Sequence, residues 1–436
     1  MYCDAMNRHY RLVSQVSGRS FDDDGLLLAE PDSSVSGLLM TDYHSLDFRP
    51  GPDTDGIYRF DFWLPVIRRL EGSSAPVTWR SEGLASHLGL ERLFITFSGY
   101  WPERGARMLT GTFKECEAYA VCARTADAGE TLVVASAGNT ARAFARVCSD
   151  NGIPLVVVIP EQNLDALWLT KPLGESVIVV AVGDGADYAD AIRSSGAIAE
   201  LPGYRAEGGA RNVARRDGMA TTLLSAIETI GGLPHEYFQA VGSGTGAIAA
   251  REAADRYLKR HAGSESSPNR GASRMRLRLS QNAPFLPLYE SWRATSRELV
   301  HYDEDDAKRR LDGIYARVLA NRTPPWSVAG GLFDALNACG GDIAAISNDE
   351  AADAAALFEA LEGVDPAPAA SVAIASLIRA VNDGSVAPTS TVMLNVTGGG
   401  FKRLWNEEGR VPITPHIVLG RHESSPQQLA TRLSGG

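Results

Sequence analysis

Three short apolar runs follow one another closely in the first half of the chain: TLVVAS (131–136), PLVVVIP (154–160) and SVIVVAV (176–182). Each is too short for a buried helix and shows no apolar–polar alternation, so each reads as a strand covered on both faces. Between the first two lies NTARAFARVCSDNG, an amphipathic helical pattern that Gly152 stops. Strand–helix–strand units with doubly buried strands require a parallel sheet flanked by helices. This single feature excludes all-α and all-β architectures.

The pattern extends in both directions. SEGLASHLGL reads as a helix and RLFITFSG as a strand; a helix is predicted near 217–231, a strand at YFQAVGSG (237–244) and a helix at TGAIAAREAADRYLKRH. RMRLRLSQ is strand-like, helices are expected over 295–320 and 349–382, and TVMLNVTGGG (391–400) ends the pattern with a strand and a glycine turn. Residues 1–50 are polar and broken by Gly, Pro and Asp, which suggests a small β-rich arm. HAGSESSPNRGASR (261–274) reads as an exposed loop and ESSPQQLATRLSGG as a surface tail.

A net charge of −11 argues against a general nucleic-acid or anionic-membrane binder. The apolar runs are too short to span a bilayer. The five scattered cysteines form no CxxC pair, and the N-terminus lacks the basic-then-apolar layout of a signal peptide; a reducing, cytoplasmic setting is expected.

Three glycine-bearing turns each follow a predicted strand: ASAGNT (135–140), GSGTG (242–246) and TGGG (397–400). Parallel sheets bind ligands at the carboxyl ends of their strands, so these turns are candidates for one site. In GSGTG, Gly242, Gly244 and Gly246 allow close backbone approach, Ser243 and Thr245 add hydroxyls, and a helix starts at about Thr245; the combination suits a phosphate. Ser136, Asn139 and Thr140 around Gly138 suit a carboxylate or a ring hydroxyl, or simply cap a helix. Only five lysines are present, and Lys114 stands at the head of a predicted helix. A cation there is unfavourable unless its nitrogen is neutral, as an imine, or paired with an anion. Lys114 is therefore the candidate for covalent amine chemistry.

A lysine in a T-F-K motif, an S-x-G-N-T loop, a G-x-G-x-G loop and a final strand ending in Thr with glycines occur in this order. In that order the chain resembles the fold type II pyridoxal-phosphate enzymes, specifically the threonine synthase-like branch, over roughly 55–405. The resemblance implies an α/β fold like that of the tryptophan synthase β subunit. It would have two open, twisted, parallel-rich sheets flanked by helices, an arm at 1–54, a large domain from 55–118 and 185–436, and a small mobile domain at 119–184. Within the branch, TFSGYWPERGARMLTGTFKECEA and the stretch from TLVVAS to VVVIP are most similar to cysteate synthases. These make L-cysteate from O-phospho-L-serine and sulfite, and the YWPERGARMLTG insertion is the specific feature. Where threonine synthases have Asp-Arg after the lysine, this chain has Glu115-Cys116.

The resemblance implies that Lys114 carries pyridoxal 5'-phosphate and acts on the substrate's α-proton. It further implies that Asn139 meets the ring oxygen, that Gly242, Ser243, Gly244, Thr245 and Gly246 hold the phosphate, and that Thr397 meets the pyridine nitrogen. Ser136, Ala137, Gly138 and Thr140 would bind the amino acid's carboxylate. Arg104, Arg107 and Lys402 are candidates for the substrate phosphate and sulfite, and Trp101 for the pocket wall. No metal is expected, and a homodimer is implied. The readings that stay open are another nucleophile (a diaminopropionate or cysteine-type synthase), threonine synthase acting on phosphohomoserine, and a non-catalytic binder that keeps the fold. A nicotinamide dehydrogenase lacks its GxGxxG turn here.

Overall fold

A computed structural model of the chain describes residues 8–125, 129–261, 275–423 and 425–434. Two parallel-rich sheets carry the fold. The larger has six strands in the order Asp342–Ile346, Arg276–Asn282, Glu236–Ala240, Thr391–Val396, Arg92–Phe97 and Val77–Arg80. All pairs are parallel except the last, where Val77–Arg80 runs antiparallel along the edge. The smaller has five parallel strands, Tyr204–Ala206, Thr131–Ala135, Leu155–Pro160, Val177–Val182 and Ile417–Leu419. The strand Leu155–Pro160 is buried at every position, as a run without alternation requires.

The smaller sheet reaches past the expected boundary at 184. Tyr204–Ala206 closes one edge and Ile417–Leu419, from the far end of the sequence, closes the other. The expected surface tail is also built in. Its described part forms the helix Pro426–Ser434, whose Leu429 and Leu433 pack into the core of the smaller sheet. A leucine pair four apart on a short helix was the available signal.

Two other expectations change. The stretch 295–320 is largely irregular, with one helix at Glu304–Asp312 and a single turn at Arg317–Leu319. The helix predicted near 217–231 begins earlier, at Val213, because the Asn212 side chain accepts a hydrogen bond from the Ala214 amide and caps it. The loop expected at 261–274, apart from residue 261, and Cys3 lie outside the described residues. Among the described residues no helix is long and apolar enough to cross a membrane.

The arm is a three-stranded antiparallel sheet, Ser20–Phe21, Tyr10–Ser14 and Leu39–Tyr43. Buried polar contacts fasten it to the body. The Arg124 guanidinium donates to both oxygens of Asp23 at 2.8 and 3.0 Å and to Asn212 Oδ1 at 2.9 Å, and Tyr10 donates to the same carboxylate. Burial works against the Asp23 charge, but Arg124 and Tyr10 outweigh it and hold the carboxyl below its ordinary value of 3.8. Arg124→Ala removes the two-pronged cation from a buried carboxylate, leaving it only the more distant Arg8 at 3.7 Å, and is expected to cost about 3 kcal/mol, read from the urea midpoint. The wild-type contribution is present above the unfolded carboxyl value and fades as the pH falls through the lower folded one. A variant midpoint equal to that of the wild type at pH 7 would refute the assignment.

Candidate active site

The turns after three strands meet at one cleft. Ser136–Thr140 follows Thr131–Ala135, Gly242–Gly246 follows Glu236–Ala240, and Thr397 follows Thr391–Val396; all line it together with Lys114. The expected sets Ser136, Ala137, Gly138, Asn139 and Thr140, and Gly242, Ser243, Gly244, Thr245 and Gly246, are thus brought together with Lys114 and Thr397. Backbone pairing fixes the lysine against the last turn. Thr112 and Gly398 form an antiparallel bridge, Phe113 N donates to Thr397 O at 3.0 Å, and Gly399 N donates to Gly111 O at 3.0 Å.

Two glycines are required by geometry. Gly138 has φ 150°, and a side chain there would put Cβ 2.8 Å from Ala166 Cβ. Gly244 has φ 76°, and its Cβ would lie 2.5 Å from Leu332 Cδ2. Beyond them begin the helices Asn139–Asp150 and Thr245–His261, whose first N–H groups have no intrahelical partner.

Lys114 is the first residue of the helix Lys114–Arg124. Its Nζ donates to Glu117 Oε2 at 3.2 Å, one turn on. Glu117 is fully buried and also accepts from Thr140 Oγ1 at 2.8 Å and Arg215 Nη1 at 3.2 Å. Arg215 is in turn clamped by Glu207 through Nε at 2.8 Å and through Nη2. The unfavourable cation at the helix head is therefore paired with an anion, one of the two resolutions open from the sequence. Burial lowers the Lys114 pKa while Glu117 opposes the fall. Burial also disfavours the Arg215 charge, but Glu117 and Glu207 outweigh it and raise its pKa. Tyr188, on the same lining, is pushed up by burial.

Asn139 is oriented from behind. Its Oδ1 accepts from Arg142 Nη2 at 2.9 Å, which turns the amide NH2 into the remaining hydrogen-bonding group. Arg142 is itself buried, donates to the Thr110 and Ala166 carbonyls at 3.1 and 2.7 Å, and lies 4.4 Å over the Trp168 ring. Burial pulls its pKa down to about 9, so it stays charged at neutral pH.

Glu117, Arg215 and Tyr188 were not singled out in the sequence. The Lys-x-x-Glu spacing at 114–117 was a usable signal, since residues three apart share a helix face. Arg215 and Tyr188 come from distant segments and carry no local mark. Conversely, Arg104, Arg107 and Lys402 are not on this lining. The Lys402 Nζ pairs with Glu359 on the surface. Arg104 lies 4.5 and 4.6 Å from the Trp79 and Trp101 rings, which meet edge to face, and Trp101 is not on the cleft lining either. Arg104 and Arg107 line a separate cavity.

A family model described as pyridoxal-phosphate-dependent enzyme matches residues 78–398. The chain belongs to that family. Among curated proteins it is similar to the cysteate synthase of Methanosarcina acetivorans, 44% identical over 416 residues, which cover 94% of this chain and 97% of the relative. The cysteate synthase of Methanoregula boonei is 46% identical over 411 residues, covering 94% of each chain. The fold is also that of solved enzymes of low identity. Maize serine racemase gives a TM-score of 0.57 at 15% identity, covering 76% of this chain and 90% of that one. A fungal L-serine ammonia-lyase from Rhizomucor miehei gives 0.57 at 14%, covering 77% and 97%.

The residues present fit pyridoxal 5'-phosphate. A lysine amine, a glycine-rich turn at a helix N-terminus and an oriented amide line one cleft, and Thr112 Oγ1, on the same lining, is buried without a partner. Glu117→Gln removes the charge that opposes the burial-driven fall in the Lys114 pKa. The pH midpoint for recapture of pyridoxal phosphate by the apoenzyme, followed by absorbance, is therefore expected to move lower. An unmoved midpoint would show that Glu117 does not bear on the amine.

Proposed function

We infer that this chain is a cysteate synthase, replacing the phosphate of O-phospho-L-serine with sulfite to give L-cysteate and inorganic phosphate. The observation that carries the reading is similarity to cysteate synthases at 44–46% identity running through nearly the whole of both chains, with Lys114 facing three strand-end turns in one cleft. Gly242–Gly246, Asn139 and Thr397 would hold pyridoxal 5'-phosphate, and the group would supply an electron sink for chemistry at the substrate's α-carbon.

The chain's own residues do the rest. The Ser136–Thr140 turn and its helix N-terminus receive the substrate carboxylate. Lys114 Nζ, as a neutral amine, takes the α-proton; the ammonium so formed sits against the Glu117 carboxylate, which holds the proton at Nζ. The β-carbon–oxygen bond breaks and its electron pair leaves with phosphate. The sulfur lone pair of sulfite then forms the new bond to that carbon, and Lys114 returns its proton to the α-carbon. Thr397 offers a hydroxyl in place of a carboxylate, so it can accept or donate a hydrogen bond at the pyridine nitrogen without charging it. Besides Lys114, Arg215 is the cationic side chain on the lining among the described residues. We assign it to the anionic groups of substrate and nucleophile, in place of Arg104, Arg107 and Lys402. A cytoplasmic homodimer completes the proposal.

Holoenzyme given O-phospho-L-serine is expected to change its visible spectrum and release phosphate, and sulfite is expected to restore the starting band as L-cysteate accumulates. A spectrum unmoved by phosphoserine but moved by phosphohomoserine would overturn the donor. Lys114→Ala is expected to lose at least about a hundredfold in turnover. Arg215→Leu is expected to raise KM for phosphoserine about tenfold or more, and an unchanged KM would remove Arg215 from the substrate site.

A further inference from the structure

The YWPERGARMLTG insertion does not build the Lys114 cleft. Its residues Tyr100, Arg104, Gly105, Arg107 and Leu109 instead wall a second, larger cavity that shares no lining residue with the first. The opposite wall is the edge strand Val77–Arg80 and the helix Val213–Ile230, which contribute Thr78 and Ser225; Ser74 and Arg146 complete it.

The charges around this cavity are not balanced. Arg59, on its rim, is matched by Asp53 and Glu228. Glu408 accepts a hydrogen bond from the Tyr100 hydroxyl at 2.9 Å. Arg104 and Arg107 are exposed and make no ion pair among the described residues, and the Arg104 guanidinium rests against the Trp79 and Trp101 rings, which meet edge to face. Arg146 is more than nine-tenths buried. Its Nε reaches Asp150 at 3.2 Å, but its Nη1 makes no hydrogen bond and stops 3.7 Å from Glu115 Oε1, an atom that is equally unpartnered. Hydroxyls line the same cavity: Thr78 Oγ1 is within 2.8 Å of Ser225 Oγ, and Ser74 Oγ accepts from the Arg107 amide. Several guanidinium groups and hydroxyls on one cavity wall are the donor set that oxyanions select.

We propose that this cavity is a second anion site, which takes a small phosphate- or sulfonate-bearing molecule with its oxyanion at Arg104 and Arg107. The shared chemistry is a multiply hydrogen-bonded oxyanion on a small polar body. Its sources differ, inorganic phosphate on one side and a sulfonated amino acid on the other. The site rests on the arginines and the cavity, and stands whatever reaction Lys114 performs.

The test is calorimetric titration of the holoenzyme, at low ionic strength, with inorganic phosphate and separately with L-cysteate. Wild type, Arg107→Glu and Arg104→Ala/Arg107→Ala are compared. Arg107 is exposed and is not the arginine that rests on Trp79 and Trp101, so its replacement leaves that contact in place; the visible cofactor band and the unfolding temperature confirm that each variant is folded. At least one titrant is expected to occupy a site in the wild type that both variants bind about tenfold more weakly or not at all, and that titrant identifies the source. Binding of both titrants that is identical in wild type and Arg107→Glu would overturn the proposal, as would the absence of any site in the wild type beyond one that both variants retain.

Discussion

The charged side of the Lys114 cleft depends on one buried carboxylate. Glu117 has no exposure of its own, and it is satisfied by three partners from three elements: the amine one turn earlier, the Thr140 hydroxyl at the start of another helix, and the Arg215 guanidinium from a third. A lone carboxylate in that position would be prohibitively desolvated. The three donors make it tolerable, and in exchange it fixes where each of them sits. The lysine head, the turn assigned to the substrate carboxylate and the cation assigned to the phosphate are therefore set relative to each other by one side chain.

Two side chains on the cleft, Arg215 and Asn139, are each held from behind. Glu207 grips Arg215 from the far side, so the guanidinium is not free to swing across and displace Lys114. Arg142 performs a comparable service for Asn139 without any carboxylate contact, using carbonyls and the Trp168 face instead. The site thus has two supports. One is ionic, alternating in sign from Lys114 to Glu207. The other is made of dipoles and an aromatic face. The first answers to protonation and the second largely does not.

Much of this was legible in the residues. Doubly buried strands announced the parallel sheets, and glycine turns after strands announced the cleft, because both follow from local backbone requirements. Lys114 and Asn139 stood out through their position at element ends, whereas Thr397 was carried by the family resemblance. What escaped was non-local. Arg215 meets Glu117 only because two helices pack together, and no spacing in the sequence encodes that. The arginines of the insertion misled for the same reason: nearness to Lys114 along the chain said nothing about which wall they would face. The stretch 295–320 carries a helical composition, yet only Glu304–Asp312 has the cap that starts a helix, with Asp303 accepting from the Asp306 amide.

The strand Ile417–Leu419 closes an edge of the smaller sheet whose other strands all lie between 131 and 206. During synthesis, that sheet emerges long before its last member, and the exposed edge of Val177–Val182 must wait for most of the chain to be made. The larger sheet is interrupted in the same way, since Thr391–Val396 lies between Arg92–Phe97 and Glu236–Ala240. Neither half can be completed before the other is nearly finished. The two are committed to maturing together, late, with the final segment of the chain acting as the clasp.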